Sequence, residues 1–573
     1  MAPFIIVVGI VVSARSIGFL YSIRLARSKV VAISAAAVLG SIVGSLGFLG
    51  ARFAIPLLAV MTAAGMMLVV FRAYRPRQKI ASLSPVWRST IHDLRSHKIA
   101  CAGSVGVSGV VVALAIGSEP TITGLLAAVT GLAVAGLCAR LAIHRMSANE
   151  LASVLAALAL GLVPFRGLAE IRMGAIAIGG TDLLVGLAFL VWLFGRGSKT
   201  QVRIPPFVFG LLMFSVWLAL TVVVAVDPEA VAKEVMKWLQ VAFSLVILSD
   251  VLRSDDSRRI MMWIIAVAVV CQTLLGLIQT AAQLGPSGFV VGGVMRAFGT
   301  FDQPNPYGGY LGLHLPFLLA GAIFSNGSRR RWFAVLWVVV MVAVVASRSR
   351  GAWIGLGVSS LVVMFASGQR TGTWSRIILG TSGATVLAVA IGALTGIFNR
   401  ILPADVGRAM MGQHPVADVV RDRAMDNYSI AERVAHWSAG WEMFLSNPIM
   451  GVGAGNFDAA YRAYSLDPFE QPLGHAHNVF LNFSAEAGVG MLLFLALIIW
   501  ASWLAIGGVR GSRGSGLEWI SVGALGGLAA LIAQNFVDSL FVSGMGLVFA
   551  LLVAVAVVGG RPDQSGPRVV REP

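Results

Sequence analysis

Apolar stretches of roughly 18 to 22 residues recur along this chain from end to end, each long enough to cross a bilayer as a helix. In lipid every backbone polar group must be paired within the protein, so such runs have to close their own hydrogen bonds. Of the 573 residues, 57% are hydrophobic and 12% are charged, about half the ~25% charged share of a soluble domain. The reading is an all-α polytopic membrane protein with about seventeen transmembrane helices. The span centres fall near Ser13, Val38, Ala59, Val107, Leu132, Ala157, Leu184, Val216, Ser244, Val269, Leu315, Val340, Val358, Val389, Phe494, Gly527 and Val548. The first span is the weakest, because Arg15 interrupts it.

The formal net charge of +17 would suggest nucleic acid in a soluble chain. Here it lies in short loops between spans, so it is topology information and no nucleic-acid partner is expected. Nine basic clusters, among them RLARSK (Arg24 to Lys29), RSDDSRR (Arg253 to Arg259), SRRRW (Ser328 to Trp332) and VRGSRG (Val509 to Gly514), fall in alternate loops. The positive-inside rule makes those loops cytoplasmic, with the N-terminus outside and the C-terminus inside. The first apolar run leads into further spans and shows no small-residue cleavage site, so no signal peptide is expected. Cys101, Cys138 and Cys271 all lie in apolar runs and offer neither a disulfide framework nor metal-ligand spacing.

One loop stands apart. Residues 398–488 are polar and free of lysine, with ten carboxylates against six arginines. By the alternation this loop lies outside the cytoplasm, and a connection of such length in a compact protein is functional or disordered. Ser429-Ile-Ala-Glu432 reads as a capping box, opening a helix that Asn447-Pro448 stops near Ser446. Trp437, Trp441 and Phe444 would share its apolar face. The run GVGAGNF (Gly451 to Phe457) reads as a tight turn, since no strand-turn-helix context supports a phosphate loop. The resulting organisation is an N-terminal transmembrane extension over 1–147, a main transmembrane domain over 148–559 and a cytoplasmic tail over 560–573. The extension shows no residues that point to chemistry.

Three features could carry chemistry. His475-Ala-His477-Asn478 stands at the mouth of a span, with His477 expected to lead a helical face shared with Leu481, Ser484 and Gly488. Histidines at a membrane interface can simply cap a span. A zinc site would need three ligands, with His414 and His436 as the nearby candidates; no metal is expected. Arg348 and Arg350 occupy a very short outer turn, and Arg296 precedes GTFDQPNPYGGY on another. The positive-inside rule disfavours arginine on that side. Such arginines can snorkel to lipid phosphates, or their guanidinium forks can converge on a diphosphate. His314 lies within a span, as a functional group or as a packed neutral ring.

Four segments, GTFDQPNPYGGYL, SRGAWIGL, ERVAHWSAGWEMFLSNPIMGVGAGNF and HAHNVFLNFSAEAGVG, occur in an order that resembles the O-antigen ligase and Wzy polysaccharide polymerase superfamily. The resemblance implies about twelve spans with one large periplasmic loop before the last three. It also implies transfer of a glycan from a polyprenyl-diphosphate carrier to a hydroxyl acceptor on the outer face of the bacterial inner membrane, without cofactor or metal. Through it, His477 with Asn478 matches the histidine-plus-polar pair, Arg296 and Arg350 match the outer-face arginines, and Arg433 matches the arginine that opens the loop helix. His475, Asn478, Arg348 and Glu486 take supporting roles. His477 would then act as general base, the arginines would hold the diphosphate, and direct displacement would invert the anomeric carbon. The five extra N-terminal spans and the neighbouring His475 depart from the pattern. The acceptor stays open among lipid A-core, a growing polysaccharide and, for a protein O-oligosaccharyltransferase, a protein hydroxyl. A polysaccharide or lipid transporter is the rival from another class; it would carry paired broken helices and midplane charges, whereas the ionisable residues here gather at one rim.

Overall fold

The computed structural model describes residues 148–168, 170–173, 176–195, 204–368, 415–426 and 428–560. The N-terminal extension, the expected span at Val389, His414 and the tail lie outside the described residues. Those described are mostly helical: α1 (Ala148–Gly161), α2 (Gly180–Phe194), α3 (Phe207–Leu220), α4 (Pro228–Val251), α5 (Asp255–Ala281), α6 (Pro304–Phe324), α7 (Gly327–Ala346), α8 (Arg350–Ser367), α9 (Val416–Asp426), α10 (Tyr428–Ser446), α11 (Phe457–Tyr461), α12 (Val479–Ala487), α13 (Met491–Gly511), α14 (Glu518–Asn535) and α15 (Met545–Gly559). Two short antiparallel hairpins, Glu170–Met173 with Ile176–Gly179 and Val290–Val291 with Val294–Met295, are additions to the all-α expectation. Each expected span centre that falls among the described residues lies within one of these helices.

Four helical segments are long and apolar enough to cross a membrane: Asp255–Ala281, Pro304–Phe324, Arg350–Ser367 and the continuous Val479–Gly511. Shorter apolar helices flank them, including Ala148–Gly161 and Met545–Gly559. Trp263, Phe365, Ile499 and Trp503 point outward and are largely exposed. Large apolar side chains on an outer helix face suit a lipid solvent, which is as apolar as they are.

Inside the bundle, packing rather than water exclusion has to hold the helices, so close approach matters. α6 packs against α7, α8 and α14. A Cβ at Gly527 of α14 would come 3.0 Å from the Leu313 carbonyl of α6, so the small residue sets that crossing. Beneath the loop region an aromatic cluster ties five elements together. Phe214 of α3 meets Trp238 of α4 edge-on at 5.0 Å, Phe483 of α12 and Phe494 of α13 lie 4.6 Å apart, and Phe541 stacks 5.2 Å from Trp238.

Successive long helices alternate in direction, and their ends sort by charge. At one end, the Gln279 side-chain amide of α5 donates to the Gly299 carbonyl at 2.7 Å. At the same end Ala297 N–H bonds the last carbonyl of α7 at 3.0 Å, and Asn478 Nδ2, just before α12, donates to the Phe536 carbonyl just after α14 at 3.1 Å. Arg258, Arg330 and Arg510 occupy the opposite ends of α5, α7 and α13.

The large loop departs from expectation in three places. α10 is described from Tyr428, so Ser429 falls within the helical residues rather than ahead of them; the Tyr428 hydroxyl hydrogen-bonds Glu432. Its end at Ser446 is where the Asn447-Pro448 stop placed it. The buried face is Ala431, Ala435, Ala439 and Met443, at i, i+4, i+8 and i+12, while Trp441 is 50% exposed and tilts against Phe444. Ala431 and Ala435 pack with Val419 and Val420 of α9, and Ala439 and Met443 with Ala485 of α12, while Trp437 and Phe444 are half-buried and Trp441 faces outward. Third, α12 starts at Val479 with Asn478 as its N-cap, accepting from Phe480 and Leu481 N–H. His477 therefore lies ahead of the helix and leads no helical face. The glycine run forms turns as expected: a Cβ at Gly451, whose φ is 68°, would come within 2.4 Å of the Ala485 carbonyl.

Candidate active site

The N-cap of α12 is where the local sequence first builds a site. Asn478 turns the chain into the helix with its side-chain oxygen, and its amide nitrogen anchors that turn to the end of α14. The residue before it, His477, adopts φ 51°, a left-handed conformation that costs a non-glycine residue about a kcal/mol or more and gathers at functional sites. Its backbone N–H donates to Nδ1 of His475 at 3.1 Å, and the two rings stand edge-to-face at 4.5 Å.

His477 Nδ1 lies 3.3 Å from Oδ1 of Asp538. An ionised carboxylate can only accept, so Nδ1 carries the hydrogen, and in the neutral ring that tautomer leaves the lone pair on Nε2. Asp538 is almost fully buried in the turn between α14 and α15 and also accepts from Ser539 N–H at 2.9 Å. Its burial, the largest influence, opposes ionisation. The hydrogen bond and charge of His477, then the charges of His475 and Arg433, outweigh it and hold the carboxyl below its ordinary range. His475 is pushed down to about 4 by burial and by the neighbouring His477, so it stays neutral at physiological pH.

A third ring completes the cluster. His436 of α10 lies 6.0 Å from His477, edge-on, and stacks on Tyr461 at 4.4 Å. Its Nδ1 bonds the Glu432 carbonyl at 2.7 Å, and its Nε2 is buried without a partner. Burial lowers its pKa, with His477 pushing the same way. Glu432, raised by burial, feels His477 and Arg433 in the opposite sense.

Arginines gather beside this cluster. Arg296 donates from Nε to the Ser347 carbonyl and from a terminal nitrogen to Asn305 Oδ1, both at 2.8 Å. Burial lowers its pKa first; Arg433, Arg348 and Arg350 push the same way, and Asp538 alone pulls back. Arg348 sits at φ 51° and donates to the Val291 carbonyl. Arg350 opens α8, with Ser349 capping that helix through Ala352 N–H. These bonds hold the guanidinium groups of Arg296 and Arg348 in place. Four like charges with two carboxylates, Asp538 and Glu432, beside them leave an excess of positive charge suited to an anion.

The fold thus brings His475, His477, Asn478, Arg296, Arg348, Arg350 and Arg433 to one end of the bundle. Glu486 does not join the arginines: it is buried within α12 and accepts from Phe457 N–H at 3.1 Å. His314 bonds the Tyr310 carbonyl one turn back in its own helix, as a packed ring would. Asp538 and the inward His436 escaped the sequence reading. For Asp538 a signal existed, since it is the one carboxylate in the turn NFVDSLFVSG between the last two spans.

His475, His477 and Asp538 each offer one ligand atom, all within 4.8 Å of one another. His477 Nδ1 already contacts Asp538 Oδ1, and His475 Nδ1 accepts the His477 N–H.

Residues 334–496 match the family model described as O-antigen ligase. The match runs from α7 through α8 and the large loop into α13, so it contains Arg348, Arg350, Arg433, His475 and His477. No curated protein matches the chain.

Proposed function

We propose, from the premise that this chain carries an O-antigen ligase domain of the ligase and polymerase superfamily at residues 334–496, that it transfers a glycan from a polyprenyl diphosphate to a hydroxyl acceptor at the outer face of a bacterial inner membrane. The single observation that carries the reading is the cluster of four arginines beside a histidine paired with a buried carboxylate. Residues 148–559 form the catalytic unit in this reading.

In the reaction, the acceptor hydroxyl attacks the anomeric carbon as the bond from that carbon to the diphosphate oxygen breaks. The leaving diphosphate takes the bonding electron pair, and the arginines stabilise its growing charge. His477 Nε2 takes the hydroxyl proton as general base. Asp538 holds the ring in the required tautomer and stabilises the imidazolium that forms. Attack opposite the leaving group inverts the anomeric centre. A diphosphate already leaves well, so the site has no need of a strong acid.

Transfer from a purified polyprenyl-diphosphate glycan to an added acceptor, read by gel or mass spectrometry, tests this directly. Activity should be unchanged in EDTA; loss that zinc restores would assign His475, His477 and Asp538 to a metal instead. Topology has its own test, in a background lacking Cys101, Cys138 and Cys271. Ala463→Cys, exposed at the site end, should react with an impermeant thiol reagent in spheroplasts, and Ser515→Cys, exposed at the other end, should not. The reverse pattern would put the site in the cytoplasm and end this reading.

A further inference from the structure

A cavity of about 810 Å³ adjoins the histidine pair. That volume lies in the range of small-molecule sites, about 300–1,000 Å³. His475 and Ser539 form part of its wall, while their neighbours His477 and Asp538 form the dyad. None of Arg296, Arg348, Arg350 or Arg433 lines it, although Thr300, Phe301 and Asp302 come from the same loop as Arg296.

The lining is amphipathic. Phe301, Phe483 and Phe541 give apolar faces, and polar groups converge between them. Carboxyl groups outnumber cations. Asp227, Glu234, Asp302 and Asp458 line the cavity against two lysines, Lys233 and Lys237, and the buried Glu486, which accepts the Phe457 N–H, also borders it. Lys237 is already committed, to Glu234 at 2.6 Å and to the Phe541 carbonyl at 3.2 Å. Glu234 in turn accepts from the Trp238 indole at 2.9 Å. Asp458 accepts the Gly474 N–H at 2.7 Å, which ties the cavity wall to the turn that carries His475. Asp302 is exposed and has no partner among the described residues.

We infer that this cavity receives the sugar acceptor, and that its carboxyl groups select an acceptor free of phosphate or carboxylate. The inference rests on the glycosyl-transfer reading and deepens it. Displacement with inversion needs the attacking hydroxyl on the side opposite the leaving diphosphate. The arginines mark the diphosphate side, and none of them borders this cavity, which His475 and Ser539 join to the dyad, so we assign it to the acceptor. Carboxylates accept hydrogen bonds from sugar hydroxyls, and the aromatic walls cover the C–H faces of the rings. A phosphorylated sugar entering the same space would meet like charges across a partly dry wall, and such juxtaposition is how a site rejects a wrong partner. Charge is thereby divided across the histidines, cationic where the donor leaves and anionic where the acceptor enters.

The test uses the full chain in nanodiscs with a polyprenyl-diphosphate glycan donor. Two synthetic acceptor oligosaccharides are compared that differ only in one phosphomonoester on the terminal sugar. The neutral acceptor should show kcat/KM about tenfold or more above the phosphorylated one. Asp302→Asn should narrow that gap several-fold by improving the phosphorylated acceptor, with donor KM unchanged. Equilibrium binding of the two acceptors to the donor-free protein should show the same preference and the same narrowing. Equal use of both acceptors, preference for the phosphorylated one, or a change in donor KM instead of acceptor KM would overturn the assignment while leaving glycosyl transfer intact. Absence of transfer to either acceptor, with the donor unconsumed, would instead overturn the glycosyl-transfer reading on which it stands.

Discussion

If the chain transfers glycans as proposed, His477→Ala should abolish transfer in the purified system while expression and donor binding stay close to wild type. Removal of a general base costs typically about 10²- to 10⁴-fold. The side chain makes its one hydrogen bond to Asp538, so its loss leaves the fold of α12 to Asn478 and the aromatic cluster. Asp538→Asn keeps the shape but offers Nδ1 an amide that can donate as well as accept. The ring then loses its fixed tautomer, and kcat should fall roughly tenfold or more with donor affinity retained. His475→Ala is the internal control. His475 stays neutral until about pH 4 and its Nδ1 is occupied by the His477 N–H, so it has no free base to offer from that atom. It should retain measurable transfer. An active His477→Ala beside a dead His475→Ala would move the base to the other ring.

Arg350→Ala is the second large effect, of a different kind. A charge-assisted hydrogen bond is worth about 1.5–3 kcal/mol, or roughly 10- to 150-fold. Arg350 has no hydrogen-bond or ion-pair partner among the described residues, unlike Arg296, whose fork is partly used by Ser347 and Asn305. Its loss should therefore weaken donor affinity and lower kcat together, because the diphosphate is held in the ground state and gains charge in the transition state. Arg350→Lys should recover only part of the loss, as an ammonium cannot supply two parallel donors to one phosphate. Titration of donor against both variants, with kcat and KM separated, checks this. A normal donor KM in Arg350→Ala would remove Arg350 from the diphosphate site.

Part of this site is legible in sequence for a physical reason. Arginine in the loops that the charge alternation assigns to the outer side runs against the charge bias of loops, so Arg296, Arg348 and Arg350 announce themselves. Paired histidines at the mouth of an apolar run do the same. Asp538 announces itself weakly, because one aspartate in a short turn looks like any solvated turn residue. Only proximity to His477, 61 positions away, gives it a role. The expected apolar face of Trp437, Trp441 and Phe444, of which Trp441 is exposed and the other two half-buried, failed for a related reason. In a lipid or interfacial setting large aromatics need not face the core, and close helix contact uses the alanines instead.

By itself the sequence determined the class of the molecule. Apolar runs of bilayer length dictate helices, and the spacing of those runs placed every described span, because backbone polar groups in lipid leave no local alternative. It also showed that the paired histidines and Arg296, Arg348 and Arg350 stand at loops alternate to those with the basic clusters. What the tertiary structure decided is which of those residues meet. The pairing of His477 with Asp538, the inward His436, the withdrawal of Glu486 from the arginines and the cavity beside His475 all depend on contacts between loops far apart in the chain. Such contacts are set by helix crossings and by single caps such as Asn478, and hydrophobic pattern carries no record of them.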